Sequence, residues 1–429
     1  MTPSTRSSDR SRPSPPGGRR AGPVEALMRR ALLRVLEYVD EGEIRLHEGG
    51  RVHVFGRTTE RFPDPVEVRV LAPSFWRTIA LGGTVGSGEA WIDGDWTASD
   101  LTSLIRIILA NDTMRGALEG GAARLATPAR RLLHGLRRNH RRGSRRNIAA
   151  HYDLGNDFFE AFLDPTMTYS SGVFPSPEAS MEEASIHKYE RLCKAIDLRP
   201  GDRLLEIGTG WGGFAIHAAR TRGCHVTTTT VSRAQHDGAR ARIREAGLED
   251  RIELLLEDYR DLRGQYDKLV SIEMIEAVGH QYLPTFFRVC DERLVDQGRM
   301  ALQCITIADD AYERATRTVD FIKRYVFPGG CLPSLRVIDE LCERETRLVA
   351  SEREEITAHY AETLRRWRAR LAGSAEALRA RGYDDALLRL WEFYFCYCEA
   401  GFVSRHIGTW QLVLEKSAVR GARGDARLG

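Results

Sequence analysis

The central part of the chain alternates between short apolar runs and amphipathic stretches. The apolar runs of strand length are 203–207, 225–231, 252–256, 266–272 and 300–306. Strands that alternate with helices predict a doubly wound, largely parallel sheet covered by helices, which is an α/β fold. Ligands of such sheets bind beyond the carboxyl ends of the strands. We therefore expect that edge to carry Gly208, Thr230, Asp258 and Glu276.

Residues 24–123 predict a smaller α/β domain ahead of this sheet. An opening helix is followed by segments beginning at Glu43, Val52 and Val66, whose alternation predicts strands with one solvated face. The segment 88–96, rich in aromatic and acidic residues, leads into an apolar helix at 101–109. It is open at this point whether 88–96 is turn and core material or has a separate role.

Two stretches depart from a minimal doubly wound fold. One runs from residue 308 to about 342, and the other, of helical composition, runs from 357 to about 407. We expect both to build the substrate pocket. The catalytic domain would then span 148–420, with a disordered tail at 421–429.

Composition limits the classes of protein to which this chain can belong. The 429 residues suffice for two or three domains, and the eight cysteines are scattered without a C-x-x-C pair. Neither a disulfide framework nor a zinc or other metal site is predicted, so a cytoplasmic location is expected. No apolar stretch approaches the ~18 residues of a membrane span. The Ser-, Pro- and Arg-rich stretch 1–23 predicts a disordered tail without a signal peptide.

Residues 124–147 predict a strongly basic linker. They contain nine arginines and no acidic residue. A solvated linker, attraction to an anionic membrane and binding to nucleic acid are the alternatives. Nucleic acid is disfavoured because the aromatic residues that would stack on bases are missing.

A glycine-rich turn follows the first apolar run of the sheet. Gly208, Gly210 and Gly213 match G-x-G-x-x-G, a pattern that also occurs at dinucleotide sites. A dinucleotide site would need an acidic residue at the end of the next strand, and that strand ends in threonines. Glu206 instead lies two residues before Gly208. Glu-x-Gly-x-Gly is typical of class I S-adenosylmethionine methyltransferases, whose acid lies near the methionine end of the cofactor.

Several longer motifs then resemble one family. They are His151 to Ser170, Glu206 to Gly213, Phe327-Pro-Gly-Gly and Gly401 to Gln411. In this order they resemble the cyclopropane-fatty-acyl-phospholipid synthases over about 148–417. The resemblance implies a class I methyltransferase domain with helical lid insertions. Residues 24–123 resemble, more weakly, the small lipid-binding domain of the two-domain bacterial members, which favours lipid contact for 88–96 and for the linker.

The resemblance also implies a set of residues around S-adenosylmethionine. Tyr169, Ser170 and Glu206 would lie at its methionine end, and the glycines would approach it closely. Ser232 and Gln235 also have the spacing of a helix capping box. The implied cofactor-binding residues are Tyr169, Ser170, Glu206, Gly208, Gly210, Gly212, Thr230, Val231, Gln235, Asp258 and Tyr259.

In this family a bicarbonate ion is thought to accept the proton that leaves after methyl transfer. Of its binding groups, Glu276, Tyr360 and the Ile305 backbone match, whereas Ser171 replaces a cysteine and Gln303 a histidine. Both replacements still hydrogen-bond an anion, so bicarbonate remains a candidate. Glu276 is expected to act as base or cation stabiliser. Cys398 occupies a position long discussed as catalytic, and a structural thiol is the alternative.

The sequence leaves two alternative reaction products open. Ring closure gives a cyclopropane, whereas a hydride shift before proton loss gives a methylene branch that a flavin- or NADPH-dependent reductase would saturate. The phrases around Glu276 and Gln303 resemble the 10-methyl (tuberculostearic-type) branch, which we favour slightly. A methyltransferase for a soluble small molecule or nucleic acid, and a non-catalytic lipid-binding homologue, are the competing functions. The expected partner is a phospholipid surface at the inner face of the membrane, without nucleic acid, and a homodimer is allowed.

Overall fold

Eleven strands form two sheets in the computed structural model, which describes residues 23–120 and 154–418. The basic linker at 124–147 and the tail at 421–429 lie outside these ranges. So does the tail at 1–23, apart from Pro23, which begins the first helix.

The first described range forms a small α/β unit. Its sheet has the order β2-β1-β3-β4, with β1 parallel to β3 and the other neighbours antiparallel. The predicted strands near Glu43, Val52 and Val66 are all present. Alternate apolar side chains of β1 and β3 enter the core, whereas β2 is an edge strand with no buried side chain. The elements are α1 Pro23–Leu36, β1 Gly42–Glu48, β2 Arg51–Arg57, β3 Val66–Val70, α2 Ser74–Ile92, β4 Trp96–Ala98, α3 Leu101–Ala110 and α4 Asp112–Glu119.

The segment 88–96 belongs to the core of this unit. Its first residues end α2, and its last begins β4. Trp91 and Trp96 are buried edge to face, with ring centroids 5.0 Å apart. Its aromatic residues are therefore core material, as one of the two alternatives held.

The second range contains the predicted doubly wound sheet. Its order is β10-β11-β9-β8-β5-β6-β7, and β11 is antiparallel to both of its neighbours while the other pairs are parallel. This confirms the predicted fold class. Strands β10 and β11 were not predicted. A mostly polar edge strand such as β10 has little hydrophobic pattern, whereas β11 is an apolar, largely buried strand that the prediction missed. The strands are β5 Arg203–Ile207, β6 His225–Thr229, β7 Ile252–Leu255, β8 Tyr266–Ile272, β9 Leu294–Ile307, β10 Leu348–Glu355 and β11 Ile407–Lys416.

Helices cover both faces of this sheet and cap its carboxyl edge. Two side chains of α11, Ile338 and Leu341, are buried in the core of the sheet, so the first insertion ends earlier than 342. The helices are α5 Asn156–Glu160, α6 Met181–Ala195, α7 Gly213–Arg222, α8 Arg233–Glu245, α9 Leu283–Arg293, α10 Asp309–Arg317, α11 Leu335–Glu345, α12 Thr357–Gly373, α13 Ala375–Ala380 and α14 Asp385–Val403.

The small unit shares one apolar core with helices α12 and α14, which form the helical cap over the carboxyl edge of the large sheet. The cluster that contains Trp76 and Trp91 continues into Trp367, Trp391 and Phe395 of α12 and α14. Two side-chain hydrogen bonds also link the small unit to the second range. Thr102 donates to Glu399 at 3.2 Å, and Tyr325 donates to Glu89 at 2.6 Å. The small unit therefore supports the cap that closes the carboxyl edge of the large sheet.

Gly88 offers a direct test of this shared core. A Cβ atom added there would lie 2.4 Å from Cδ2 of Phe321, a buried ring of the second range. We expect Gly88→Ala to lower the free energy of unfolding by about 1–3 kcal/mol, because neither helix nor ring has room to move. Gly116 of α4 is the matched control, since its added Cβ would meet no atom within 4 Å. Urea unfolding should show Gly116→Ala at or slightly above wild type. Equal stability of the two variants would contradict the close packing.

Candidate active site

One large cavity lies at the carboxyl ends of β5, β6, β8 and β9, under the helical cap. The four residues expected at this edge, Gly208, Thr230, Asp258 and Glu276, all line it. Its walls also include residues of the insertions and of the small unit, such as Phe327, Tyr360, Tyr394 and Leu109. The sheet thus supplies the polar floor of the cavity, and the cap supplies a mainly apolar roof.

The turn between β5 and α7 requires glycine for two different reasons. Gly208, Gly210 and Gly212 have φ values of 108°, 53° and 84°, in the left-handed region that glycine adopts without strain. An added Cβ at Gly213 would lie 2.5 Å from the Tyr189 hydroxyl, so this glycine serves packing. An added Cβ at Gly210 would meet no protein atom within 4 Å. The backbone at Gly210 is therefore open to a ligand, and the first N–H groups of α7 lie next to it.

Glu206 lies below this turn at the end of a chain of hydroxyl groups. Thr228 donates to its carboxylate at 2.6 Å, and the hydroxyls of Thr209 and Thr228 are also 2.6 Å apart. Burial raises the pKa of Glu206 to about 8, and the bond from Thr228 only partly offsets this. A cationic ligand above the glycine turn would favour the ionised carboxylate.

The ends of β6 and β7 carry the next group of expected residues. Thr230 donates to the Gln235 side chain at 2.9 Å, and the Gln235 N–H donates to Ser232 at 3.3 Å. Only half of the predicted capping box forms, because the Gln235 side chain bonds to Thr230 and faces the cavity with Val231.

Asp258 and Tyr259 line the same end of the cavity. Arg260 holds the Asp258 carboxylate through two bonds, of 2.7 Å and 2.6 Å. The Tyr259 hydroxyl is buried without a hydrogen-bond partner in the part of the chain that the structure describes. It is thus a polar group that a ligand could satisfy.

Tyr169 and Ser170 also line the cavity. The Tyr169 ring stacks on Trp367, with centroids 5.3 Å apart, and its hydroxyl donates to Tyr394 at 3.1 Å. Ser170 accepts a bond of 2.7 Å from Lys188, a fully buried lysine of α6 that the sequence did not single out. Burial lowers the pKa of Lys188 to about 8, while Glu273 and Asp164 act against this change.

Three of the five residues expected around an anion donate hydrogen bonds to a carboxylate of the chain itself, Glu273. For Ser171 the donor is the backbone N–H and not the expected side chain, whose hydroxyl donates to the Gly172 carbonyl. The Ser171 N–H and the Gln303 amide donate to Oε1 of Glu273 at 2.9 Å and 2.8 Å. The Tyr360 hydroxyl donates to Oε2 at 2.7 Å. Ser171 and Gln303 are fully buried behind Glu273 and do not line the cavity, whereas Glu273 and Tyr360 do. Sequence reasoning missed Glu273, although it directly follows β8 at the edge where ligands bind.

Glu276 lies one 3₁₀ turn beyond Glu273 and has fewer partners. Its Oε1 accepts from the Ile305 N–H, as the matched backbone position suggested. Its Oε2 is buried and has no partner among the described residues. Burial and the nearby Glu273 raise the pKa of Glu276 to about 8. At neutral pH this carboxyl group is therefore mostly protonated.

Cys398 lines the cavity next to Tyr394 and Tyr397 on α14. Burial raises the pKa of its thiol well above the usual range, and the nearby Asp320 acts in the same direction. The thiol stays protonated at neutral pH, which leaves it a weak nucleophile. Its catalytic role stays a prediction.

The cavity therefore unites most of the residues proposed from the sequence. Besides Ser171 and Gln303, only Gly212 is not part of its lining, and this residue instead caps the start of α7. The residues of the proposed set that line the cavity are Tyr169, Ser170, Glu206, Gly208, Gly210, Thr230, Val231, Gln235, Asp258, Tyr259, Glu276, Ile305, Tyr360 and Cys398.

Comparison with known proteins places these features in context. Residues 139–412 match the family model for mycolic acid cyclopropane synthetase. The chain is 38% identical over 356 residues to the tuberculostearic acid methyltransferase UfaA1 of Mycobacterium tuberculosis, which covers 79% of this chain and 80% of that protein. It is 32% identical over 362 residues to the cyclopropane-fatty-acyl-phospholipid synthase of Escherichia coli K12, covering 84% of this chain and 90% of that protein.

A solved structure shares the fold of a large part of this chain. It is the mycolic acid cyclopropane synthase CmaA1 complexed with SAH and CTAB, with a TM-score of 0.60 and 29% sequence identity. The match covers 63% of this chain and 98% of that chain.

The two raised carboxyl pKa values predict proton release on binding of a cationic ligand. Glu206 and Glu276 have pKa values of about 8, so both are mostly protonated at pH 7. A sulfonium group in the cavity favours their ionised forms, which lowers these pKa values and releases protons. Calorimetric titration with S-adenosylmethionine at pH 7 should give different heats in phosphate and Tris.

The neutral thioether S-adenosylhomocysteine is the control, and it should release fewer protons. Above pH 9 the release should vanish, because both carboxyl groups are already ionised in the free protein. Equal heats in the two buffers at pH 7 would contradict the prediction.

Proposed function

Because the chain belongs to the mycolic acid cyclopropane synthetase family, we propose that it transfers a methyl group from S-adenosylmethionine to the double bond of an unsaturated phospholipid acyl chain. One observation carries this proposal. A glycine turn suited to a nucleoside-bearing donor and a cluster of carboxyl groups line the same cavity, whose remaining walls are mainly apolar.

The chain's own residues fit the donor. The open backbone at Gly210 and the N-terminus of α7 suit its close approach, and Glu206 below the turn would become negatively charged when the cationic donor binds. We propose that Tyr169 and Ser170 contact its methionine end, that Thr230, Val231 and Gln235 surround the ribose, and that Asp258 and Tyr259 lie near the adenine. The unpartnered Tyr259 hydroxyl and the orientation of Gln235 into the cavity support this assignment.

The apolar part of the cavity suits an acyl chain. Leu109 of the small unit, Phe327 of the first insertion, and Leu364 and Phe402 of the cap contribute to it. An isolated alkene is a weak nucleophile, so the donor's electrophilic methyl group must be held in line with it and away from water. Tyr360 and Phe402 both line the cavity, with their rings stacked at a centroid distance of 4.5 Å, and aromatic rings in this wall would stabilise a carbocation on the acyl chain.

The product is proposed to be the branched one. Its methylene form retains a double bond, so a separate reductase that supplies two electrons would be needed to give a 10-methyl chain. The similarity to tuberculostearic acid methyltransferase UfaA1, at 38% identity, supports this choice over a cyclopropane.

Contact with the membrane is proposed for the small unit and the basic linker. No helix in the ranges 23–120 and 154–418 is long and apolar enough to cross a membrane. The small unit nevertheless exposes apolar side chains, with Leu27 of α1 66% and Val52 and Val54 of β2 53% and 59% exposed. Val52 and Val54 share one face of an edge strand that begins and ends with arginine. Such a face suits the surface of an anionic bilayer.

Radiolabelled S-adenosylmethionine tests the activity directly. We expect label in lipids when the protein is incubated with vesicles of mono-unsaturated phospholipid, and none with vesicles of fully saturated phospholipid. Mass spectrometry should show a gain of one CH2 unit. Proton NMR should show the signals of a C=CH2 group on the chain rather than those of a cyclopropane ring. Label confined to RNA or to soluble small molecules would overturn the proposal, and no label in any acceptor would favour a non-catalytic lipid-binding protein.

The exposed face of β2 predicts a vesicle-binding defect. Replacing both Val52 and Val54 by Glu should reduce co-sedimentation with anionic vesicles and lower the rate on vesicles, because the change removes apolar contact and adds repulsion. Val349→Glu is the matched control, since Val349 is 60% exposed on β10, the edge strand of the other sheet. Unchanged sedimentation of the double variant would exclude this face, while the affinity for S-adenosylhomocysteine should stay constant in all three proteins.

A further inference from the structure

The arrangement around Glu273 differs from a site prepared for a free anion. Three groups that would hold such an anion, on Ser171, Gln303 and Tyr360, already donate hydrogen bonds to the Glu273 carboxylate. Both of its oxygens accept, and the three distances lie between 2.7 and 2.9 Å. An external anion would have to break these bonds and approach a like charge.

The donors are themselves held in place. Gln411 donates to Oε1 of Gln303 at 2.9 Å, which turns the Gln303 amide nitrogen towards Glu273. The Gln303 carbonyl accepts from the Glu273 N–H at 2.8 Å, so the two residues are joined through backbone and side chain. Tyr360 is buried on α12 and stacks on Phe402. Side chains from β9, β11 and the cap thus fix one carboxylate at the wall of the cavity.

The backbone of Glu273 supports a functional reason for this residue. Its φ is 50°, in the left-handed region that residues with a Cβ rarely adopt. Strain of this kind persists where the surrounding structure over-determines the conformation, and it is concentrated at functional sites. A glycine would adopt the same backbone conformation without strain.

Glu273 and Glu276 differ in how strongly their surroundings favour the ionised carboxylate. Burial raises the pKa of Glu273, but Lys188 and the three hydrogen bonds act in the opposite direction. Glu276 has one hydrogen bond from a backbone N–H and a pKa of about 8. Of the two, Glu273 is therefore the better placed to stay ionised and to accept a proton at neutral pH.

We propose that Glu273 is the catalytic base of this protein and that its carboxylate takes the place of a bound bicarbonate ion. The inference rests on the proposed function. After methyl transfer, the acyl chain carries a cation next to the methylated carbon. A hydride shift moves the cation to that carbon, a C–H bond of the new methyl group breaks, and its electron pair forms the methylene double bond. The proton passes to Glu273 and then to solvent, and no oxidant is needed.

Removal of this carboxylate should abolish proton abstraction while leaving donor binding intact. Glu273→Gln should lower kcat by about 100- to 10,000-fold, the usual contribution of a positioned base. Its affinity for S-adenosylhomocysteine, measured by calorimetry, should equal that of wild type. A rate within threefold of wild type would overturn the proposal.

Glu273→Gly provides a test by rescue. The variant relieves the positive φ and leaves three hydrogen-bond donors around a space of carboxylate size, so it should fold and bind S-adenosylhomocysteine. Its low rate should rise about tenfold or more, in a saturable manner, with added bicarbonate, formate or acetate, because an untethered base recovers only part of the lost positioning. Asp197→Gly is the matched control, since Asp197 is an exposed acid with a φ of 51° outside the cavity lining. This control should keep the wild-type rate and ignore added anions.

The wild-type protein gives a test that needs no variant. Its rate on unsaturated phospholipid vesicles should be the same in bicarbonate-depleted and bicarbonate-supplemented buffer. A rate that falls on depletion and returns with bicarbonate, or a well-folded Glu273→Gly variant that no small carboxylate rescues, would overturn the assignment. Failure of wild type to methylate any phospholipid would instead overturn the proposed function, so the two outcomes are distinct.

Discussion

The site depends on holding buried carboxyl groups in the wall of its cavity. A charged carboxylate in such a place is costly unless hydrogen bonds replace the water it loses. Glu273 meets this condition through donors on three separate segments, at Ser171, Gln303 and Tyr360. These bonds join the loop before α6, the sheet and the cap, so the position of the cap over the sheet is coupled to the charge at the site.

The same constraint explains the different states of the three acidic residues. Glu206 and Glu276 each have few donors, and burial keeps them largely protonated near neutral pH. Glu273 has three donors and the buried Lys188 nearby. The same edge of the sheet thus holds carboxyl groups of unequal acidity. A reaction that binds a cationic donor and then releases a proton requires such a difference.

The helical cap and the small unit give this polar floor its apolar surroundings. Their shared core places Leu109 of the small unit in the same cavity wall as residues of α12 and α14. Deep burial of an acyl chain and peripheral contact with a membrane are compatible with this arrangement, because the exposed apolar side chains of α1 and β2 lie on the same unit that supports the cap.

Local sequence determined the features that local physics controls. The strand, glycine turn and helix around Gly208 could be predicted because positive φ values and close backbone approach demand glycine, and the alternation of apolar runs predicted the doubly wound sheet. Strand β10 and the partners of Glu273 could not be predicted in this way. A mostly polar edge strand has little hydrophobic pattern, and the donors to Glu273 lie 30, 87 and 102 residues away along the chain. Glu273 and Glu276 are only three residues apart, and the sequence does not show which of them receives those donors. The packing of the cap onto the sheet decides this, because hydrogen bonds depend on distances that only the tertiary structure sets.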